Sequence, residues 1–137
     1  MSLPPVLLVE DNADDETLLR EAYRRARVGF PLSVARDGLE AVAQVRGAAQ
    51  RPALVLLDLK LPGLSGFEVL EQVRADDRTR SLPVVVLSSS QEQADIARSY
   101  ACGANSYLVK PLDFGELEAM MRDVVCYWLR HSEPPPG

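Results

Sequence analysis

The chain has 137 residues, 47% of them hydrophobic, and a net charge of −5. That length holds one domain with an ordinary core; the acidic balance argues against a broad nucleic-acid surface, and no apolar stretch approaches the roughly 20 residues that span a bilayer. Met1-Ser2-Leu3-Pro4-Pro5 carries no basic segment ahead of an apolar one, so it does not read as a signal peptide, and a cytoplasmic protein is expected.

Five β-rich runs recur along the chain, at 5–9, 31–35, 53–57, 83–87 and 106–109. Helical patterns lie between them. Over 13–27 the apolar residues Leu18, Leu19, Ala22, Tyr23 and Ala26 share one face. Leu39, Val42 and Val45 repeat over 38–48, and Phe67, Leu70 and Val73 over 66–75. Ile96, Ala97, Tyr100 and Ala101 give a stripe over 91–102, and a last helix is expected from about 114 to 130. Asp37, Ser65 and Asp113 each stand three residues before a Glu, and Ser90 three before Gln93. This is the pattern of a capping side chain that accepts from orphan backbone N–H groups.

Strands alternating with helices through short connections predict a doubly wound α/β domain with a parallel sheet. Ligand sites in such folds form outside the carboxyl ends of the strands. The residues that end the apolar runs therefore gain weight. The first run ends in Glu10-Asp11, the third in Asp58, the fourth in Ser88 and the fifth in Lys110-Pro111. Singly, each could be a cap, a turn residue or a solvated charge. Together they would place three carboxylates, a hydroxyl and an ammonium at one sheet edge. Crowded carboxylates call for a hard cation such as Mg2+, and a central carboxylate can act as a nucleophile toward phosphorus. His131 is the only histidine, which leaves a Ser-His-Asp or Cys-His centre without support. Cys102 and Cys126 lack metal-ligand spacing and read as free thiols.

Four segments carry a family resemblance: Val6-Leu7-Leu8-Val9-Glu10-Asp11-Asn12, residues 54–63 around Asp58, Leu82-Pro83-Val84-Val85-Val86-Leu87-Ser88, and residues 103–111 ending in Lys110-Pro111. In this order they resemble the receiver domains of two-component response regulators, the CheY-like fold. The resemblance implies a five-stranded (βα)5 flavodoxin-like sheet of order 2-1-3-4-5. It also implies a signalling switch rather than a metabolic enzyme. Asp58 matches the phosphoacceptor and a Mg2+ ligand; Asp11 matches a direct Mg2+ ligand, Glu10 one that acts through water, and the main-chain carbonyl of Lys60 the backbone ligand. Ser88 matches the hydroxyl that turns toward the phosphoryl group, Lys110 the lysine of the family pattern, and Tyr107 the aromatic residue that turns inward when the hydroxyl moves. A cis bond ahead of Pro111 is expected on the same basis. The Lys60 ammonium, two residues past the acceptor, could steer the donor or stay solvated, and Ser90 should leave the pocket open on its side.

The implied partner is a sensor histidine kinase. The start Val9-Glu10-Asp11-Asn12-Ala13-Asp14-Asp15 looks most like regulators paired with phytochrome kinases, so a bacteriophytochrome is the candidate donor. A receiver over 1–131 and a flexible Pro-rich tail over 132–137 are expected, with no output domain, hence a stand-alone regulator. In the last helix Phe114, Leu117, Met121, Val124 and Trp128 can face the sheet. Met120, Val125, Tyr127 and Leu129 exceed what one face needs, which predicts a homodimer through that helix. Two other functions fit parts of the pattern. An aspartyl-phosphate phosphatase usually carries a second Asp where Lys60 stands. A receiver-like module that is never phosphorylated would not need the full acidic set with Ser88 and Lys110.

Overall fold

The computed structural model of the chain describes residues 3–47 and 50–136. Met1, Ser2, Ala48 at the end of the second expected helix, Ala49, and Gly137 in the expected tail lie outside them. Strands β1 (Val6–Val9), β2 (Leu32–Ala35), β3 (Leu54–Leu57), β4 (Val84–Ser88) and β5 (Ser106–Val109) alternate with five helices. These are α1 (Ala13–Ala26), α2 (Gly38–Gly47), α3 (Gly66–Ala75), α4 (Gln93–Ala101) and α5 (Phe114–Cys126), followed by a short π-helix, Tyr127–His131. Every pairing is parallel, and the strand order is β2-β1-β3-β4-β5, as expected.

The central strands are buried on both faces, which is why they read as continuous apolar runs. Side chains alternate between two layers. Val6, Leu8, Leu54, Leu56, Val85 and Leu87 pack with Leu19, Ala22 and Tyr23 of α1 and with Leu117, Met121 and Val125 of α5. Leu7, Val9, Val55, Leu57, Val84 and Val86 pack with Ala41, Val42 and Val45 of α2 and Phe67, Leu70 and Val73 of α3.

Several expected faces are rotated. Leu18 and Leu39 are exposed, at 51% and 66%, while Ala22 and Ala41 are fully buried. Small residues let the helix backbone approach the sheet, and the bulkier leucines beside them turn outward. In α4 only Ser99 is buried, and Ala97, Tyr100 and Ala101 face solvent. That helix lies against β5 at the sheet edge, and the Arg98 guanidinium stacks over the Phe67 ring at 4.1 Å. In α5 Val125, not Val124, is fully buried, because Leu117, Met121 and Val125 repeat at i, i+4 and i+8. Met120, Trp128 and Leu129 also pack against the α1 layer, so the apolar surplus on this helix is smaller than the sequence suggested.

Asp37, Ser65 and Asp113 cap their helices, and Ser65 with Glu68 forms a full capping box. Asn12 caps α1 by accepting from the Asp15 N–H. Ser90 does not cap: α4 starts later, at Gln93, and its cap residue Glu92 makes no side-chain capping bond. Ser90 serves the site instead. The expected cis bond before Pro111 is also absent; the described peptide bonds are trans, the lower-energy isomer even for X–Pro.

The amino ends of β4 and β5 are braced by Arg74 of α3. Its guanidinium donates to the carbonyls of Gly103, Arg80 and Leu82 and to Asn105 Oδ1. At the other pole, Gly66 opens α3 directly under the end of β3. A Cβ there would lie 2.5 Å from the Asp58 carbonyl oxygen and 2.7 Å from Leu59 Cα. Both are backbone atoms that cannot swing aside. Gly66→Ala should destabilise the fold by roughly 1–3 kcal/mol and displace the Asp58 loop. Chemical denaturation of the variant checks the first effect.

Candidate functional site

The carboxyl ends of β1, β3, β4 and β5 converge on a cavity of about 250 Å3, lined by Glu10, Asp11, Asn12, Asp15, Asp58, Lys60, Ser88, Ser89, Ser90 and Lys110. The polar residues singled out from the strand ends, Glu10, Asp11, Asp58, Ser88 and Lys110, therefore meet. Parallel pairing makes this unavoidable, because β1 and β3 align Val9 with Leu57, so the chain leaves both strands side by side. The switch point of the topology, where neighbours of β1 lead in opposite directions, falls at the same place.

Glu10, Asp11 and Asp58 each offer an oxygen within 4.8 Å of the others. Glu10 is 1% exposed. Its carboxylate accepts from the Asn12 N–H and from the Lys110 Nζ, the latter at 2.6 Å. Burial pushes the Glu10 carboxyl up to about 7, against the pull of Lys110, and the Asp58 charge adds to the rise. Burial alone would lower Lys110, yet the bond to Glu10 and the charges of Asp58, Glu10 and Asp15 leave its pKa raised. Lys110 is thus a firmly held ammonium. It stands 3.9 Å from Asp58 Oδ2 and 3.3 Å from Asp15 Oδ2. The Asp58 carboxylate accepts the Lys60 N–H at 3.5 Å, a weak contact, and the Lys60 residue is exposed at the rim.

Ser88 is 2% exposed. Its hydroxyl oxygen accepts from the Ser90 N–H at 3.1 Å. Ser90 then branches. Its hydroxyl donates to Asp95 Oδ2 at 2.6 Å, and its carbonyl accepts the Tyr107 hydroxyl at 2.9 Å. The half-buried Tyr107 ring packs against the α2–α3 core layer. Its backbone N–H, which points off the sheet edge, donates to the Tyr100 hydroxyl. Sequence reasoning missed Asp15 and the bridging part of Ser90. Only the place of Asp15 in the first turn of α1, close after the Glu10-Asp11 pair, hinted at the first, and nothing in the sequence flagged the second.

A largely buried lysine faces clustered carboxylates at the switch point of a 2-1-3-4-5 sheet, and the chain belongs to the response regulator receiver domain family, whose pattern matches residues 6–122. It is therefore a receiver of two-component signalling. Among relatives it is 37% identical to the response regulator Rcp1 of Synechocystis over 93% of this chain and 92% of that protein. It is 39% identical to FilR2, a probable methanogenesis regulatory protein of Methanothrix harundinacea, over 95% of this chain and 86% of that one. Its fold superposes on the phosphorylated cyanobacterial phytochrome response regulator RcpA with a TM-score of 0.88 at 36% identity, covering 98% of this chain and all of that one. A Mn2+-bound form of Rcp1 has the same fold, with a TM-score of 0.84, and the clustered oxygens here fit a divalent cation. No helix among the described residues is long and apolar enough to cross a membrane.

Proposed function

We propose that Asp58 accepts a phosphoryl group from the phosphohistidine of a sensor kinase, of the phytochrome type by likeness to Rcp1 and RcpA, and that the resulting charge resets the β4–α4–β5–α5 surface. The observation that carries this is the Lys110 amine, held 3.9 Å from the Asp58 carboxylate in the cavity that also gathers Glu10 and Asp11. An Asp58 oxygen attacks phosphorus in line, the P–N bond of the donor breaks, and its electron pair leaves on the imidazole. Glu10, Asp11 and Asp58, with the Lys60 carbonyl, are suited to hold Mg2+, which prefers oxygen ligands and supplies positive charge against phosphoryl oxygens. Lys110 pairs with the remaining oxygens.

Ser88 carries the signal outward. Turning its side chain toward a phosphoryl oxygen would carry the Ser88 hydroxyl away from the Ser90 N–H it now accepts, and Ser90 holds both the Tyr107 hydroxyl and Asp95 of α4. One displaced bond thus reaches β5 and α4 together. Output is a shift between two packings, not turnover of a metabolite.

Incubation with Mg2+ and a small phosphoryl donor tests the reading. The expected result is one acid-stable, base-labile adduct per chain. Sustained phosphate release from many substrates would favour the phosphatase, and no adduct would favour a passive module.

The raised Glu10 carboxyl gives the metal step a pH dependence. Below pH 7 a cation must displace its proton, so Mg2+ affinity should fall about tenfold from pH 8 to pH 6. Calorimetric titration across that range, with proton release read from buffers of different ionisation enthalpy, measures it.

Two copies associate through α5 and the π-helix that continues it in this proposal, where the Tyr127 ring is 54% exposed, a large aromatic surface left uncovered by the fold. Analytical ultracentrifugation at tens of micromolar, with and without donor, should show a dimer, and a monomer in both conditions would overturn this part.

A further inference from the structure

We infer that Asp15 is a positioning residue that competes with the phosphoryl group for the Lys110 amine and so sets how readily the site is charged. The inference rests on the reading of Asp58 as phosphoacceptor and adds a residue to it. In the structure the ammonium has three carboxylate neighbours. It is bonded to Glu10 Oε1 at 2.6 Å and to Asp15 Oδ2 at 3.3 Å, and Asp58 Oδ2 is the most distant at 3.9 Å. An amine has three N–H donors and no more. A phosphoryl group built on Asp58 adds several strong acceptor oxygens that Lys110 must serve. Glu10 is buried and cannot turn to water. Asp15, with a side chain 44% exposed, can. The Asp15 bond is therefore the one that yields.

Asp15 is well placed for this part because its backbone is fixed independently of its carboxylate. Its N–H is held by the Asn12 cap at 2.9 Å. Neutralising the side chain leaves the start of α1 intact. Asp14, its neighbour in the first turn, is exposed and makes no ion pair among the described residues. It offers a matched removal of one negative charge at the same helix end.

The test uses beryllofluoride, a tetrahedral mimic of a phosphoryl group on a carboxylate, at saturating Mg2+. Asp15→Asn should bind it about two- to five-fold more tightly than the parent chain, the range for a partly exposed ion pair. Asp15→Glu should return toward the parent value, and Asp14→Asn should not differ from it. Lys60 and Lys110 are the only lysines in the sequence. Lysine-selective Nζ spectra therefore read the contact directly. The Lys110 signal should shift in Asp15→Asn and stay in Asp14→Asn. Unchanged affinity in Asp15→Asn, or equal gains in both variants, overturns the inference. If the parent chain binds no beryllofluoride, the reading of Asp58 fails instead, and an unmoved Lys110 signal in Asp15→Asn would then sink the Asp15 contact on its own.

Discussion

Asp58→Asn should form no base-labile adduct with any phosphoryl donor while folding as well as the parent chain. The amide keeps the shape of the carboxylate and removes the nucleophile. It also removes one of the charges that drive Glu10 upward, so the Glu10 carboxyl should titrate lower than in the parent. The Asp58 side chain is 12% exposed, and its contacts with the Lys60 N–H and Lys110 are long. Unfolding free energy should therefore change by less than about 1 kcal/mol. Mg2+ binding should weaken, because one of the clustered oxygens becomes neutral. Intact-mass spectrometry after exposure to donor, paired with urea denaturation, checks both halves. An adduct on the variant would place the acceptor elsewhere.

Lys110→Met should slow adduct formation by about a hundredfold, the usual effect of removing one group that meets charge on the reacting oxygens. Its effect on stability should depend on pH. Without the amine, Glu10 is a buried carboxylate lacking its cation, and removal of one member of a buried pair costs about 3–5 kcal/mol while the other stays charged. Glu10 can escape by taking a proton. Its folded-state pKa is already raised to about 7, and loss of Lys110, which pulls it down, raises it further. A carboxyl raised in the folded state favours folding where it is protonated. That advantage is lost as pH climbs from the ordinary value of 4.5 through the folded value. The variant should thus approach parental stability near pH 5 and fall well below it at pH 8. Denaturation midpoints at the two pH values measure this, and a deficit independent of pH would show that Glu10 does not titrate as described.

Much of this site could be read from residue order alone. Leu54-Val55-Leu56-Leu57 followed by Asp58, and Val6-Leu7-Leu8-Val9 followed by Glu10-Asp11, announce strands buried on both faces that stop at polar groups. Parallel pairing then brings those ends together without any further specification. The capping signals at Asp37, Ser65 and Asp113 fixed three helix starts for a local reason, a bond spanning three residues. What escaped was decided by neighbours distant in sequence. Whether Leu18 or Ala22 faces the sheet depends on how closely α1 approaches it. The stripe in α4 has the right period, but the helix lies against an edge strand and buries little of it. Ser90 looked like a cap because Gln93 stands three residues on; Asp95 and Tyr107 claimed its hydroxyl and carbonyl instead. The role of Asp15 needed the position of an amine 95 residues away.

If Ser88 moves as proposed, the Arg74 clamp would give that signal a direction. With the entry points of the fourth and fifth strands tied through three carbonyls and an amide, the strands would act as cantilevers, anchored at one end and deflected at the tip. Amide exchange should follow that gradient, slow near Val84 and faster toward Val109, and cutting the anchor with Arg74→Met should flatten it.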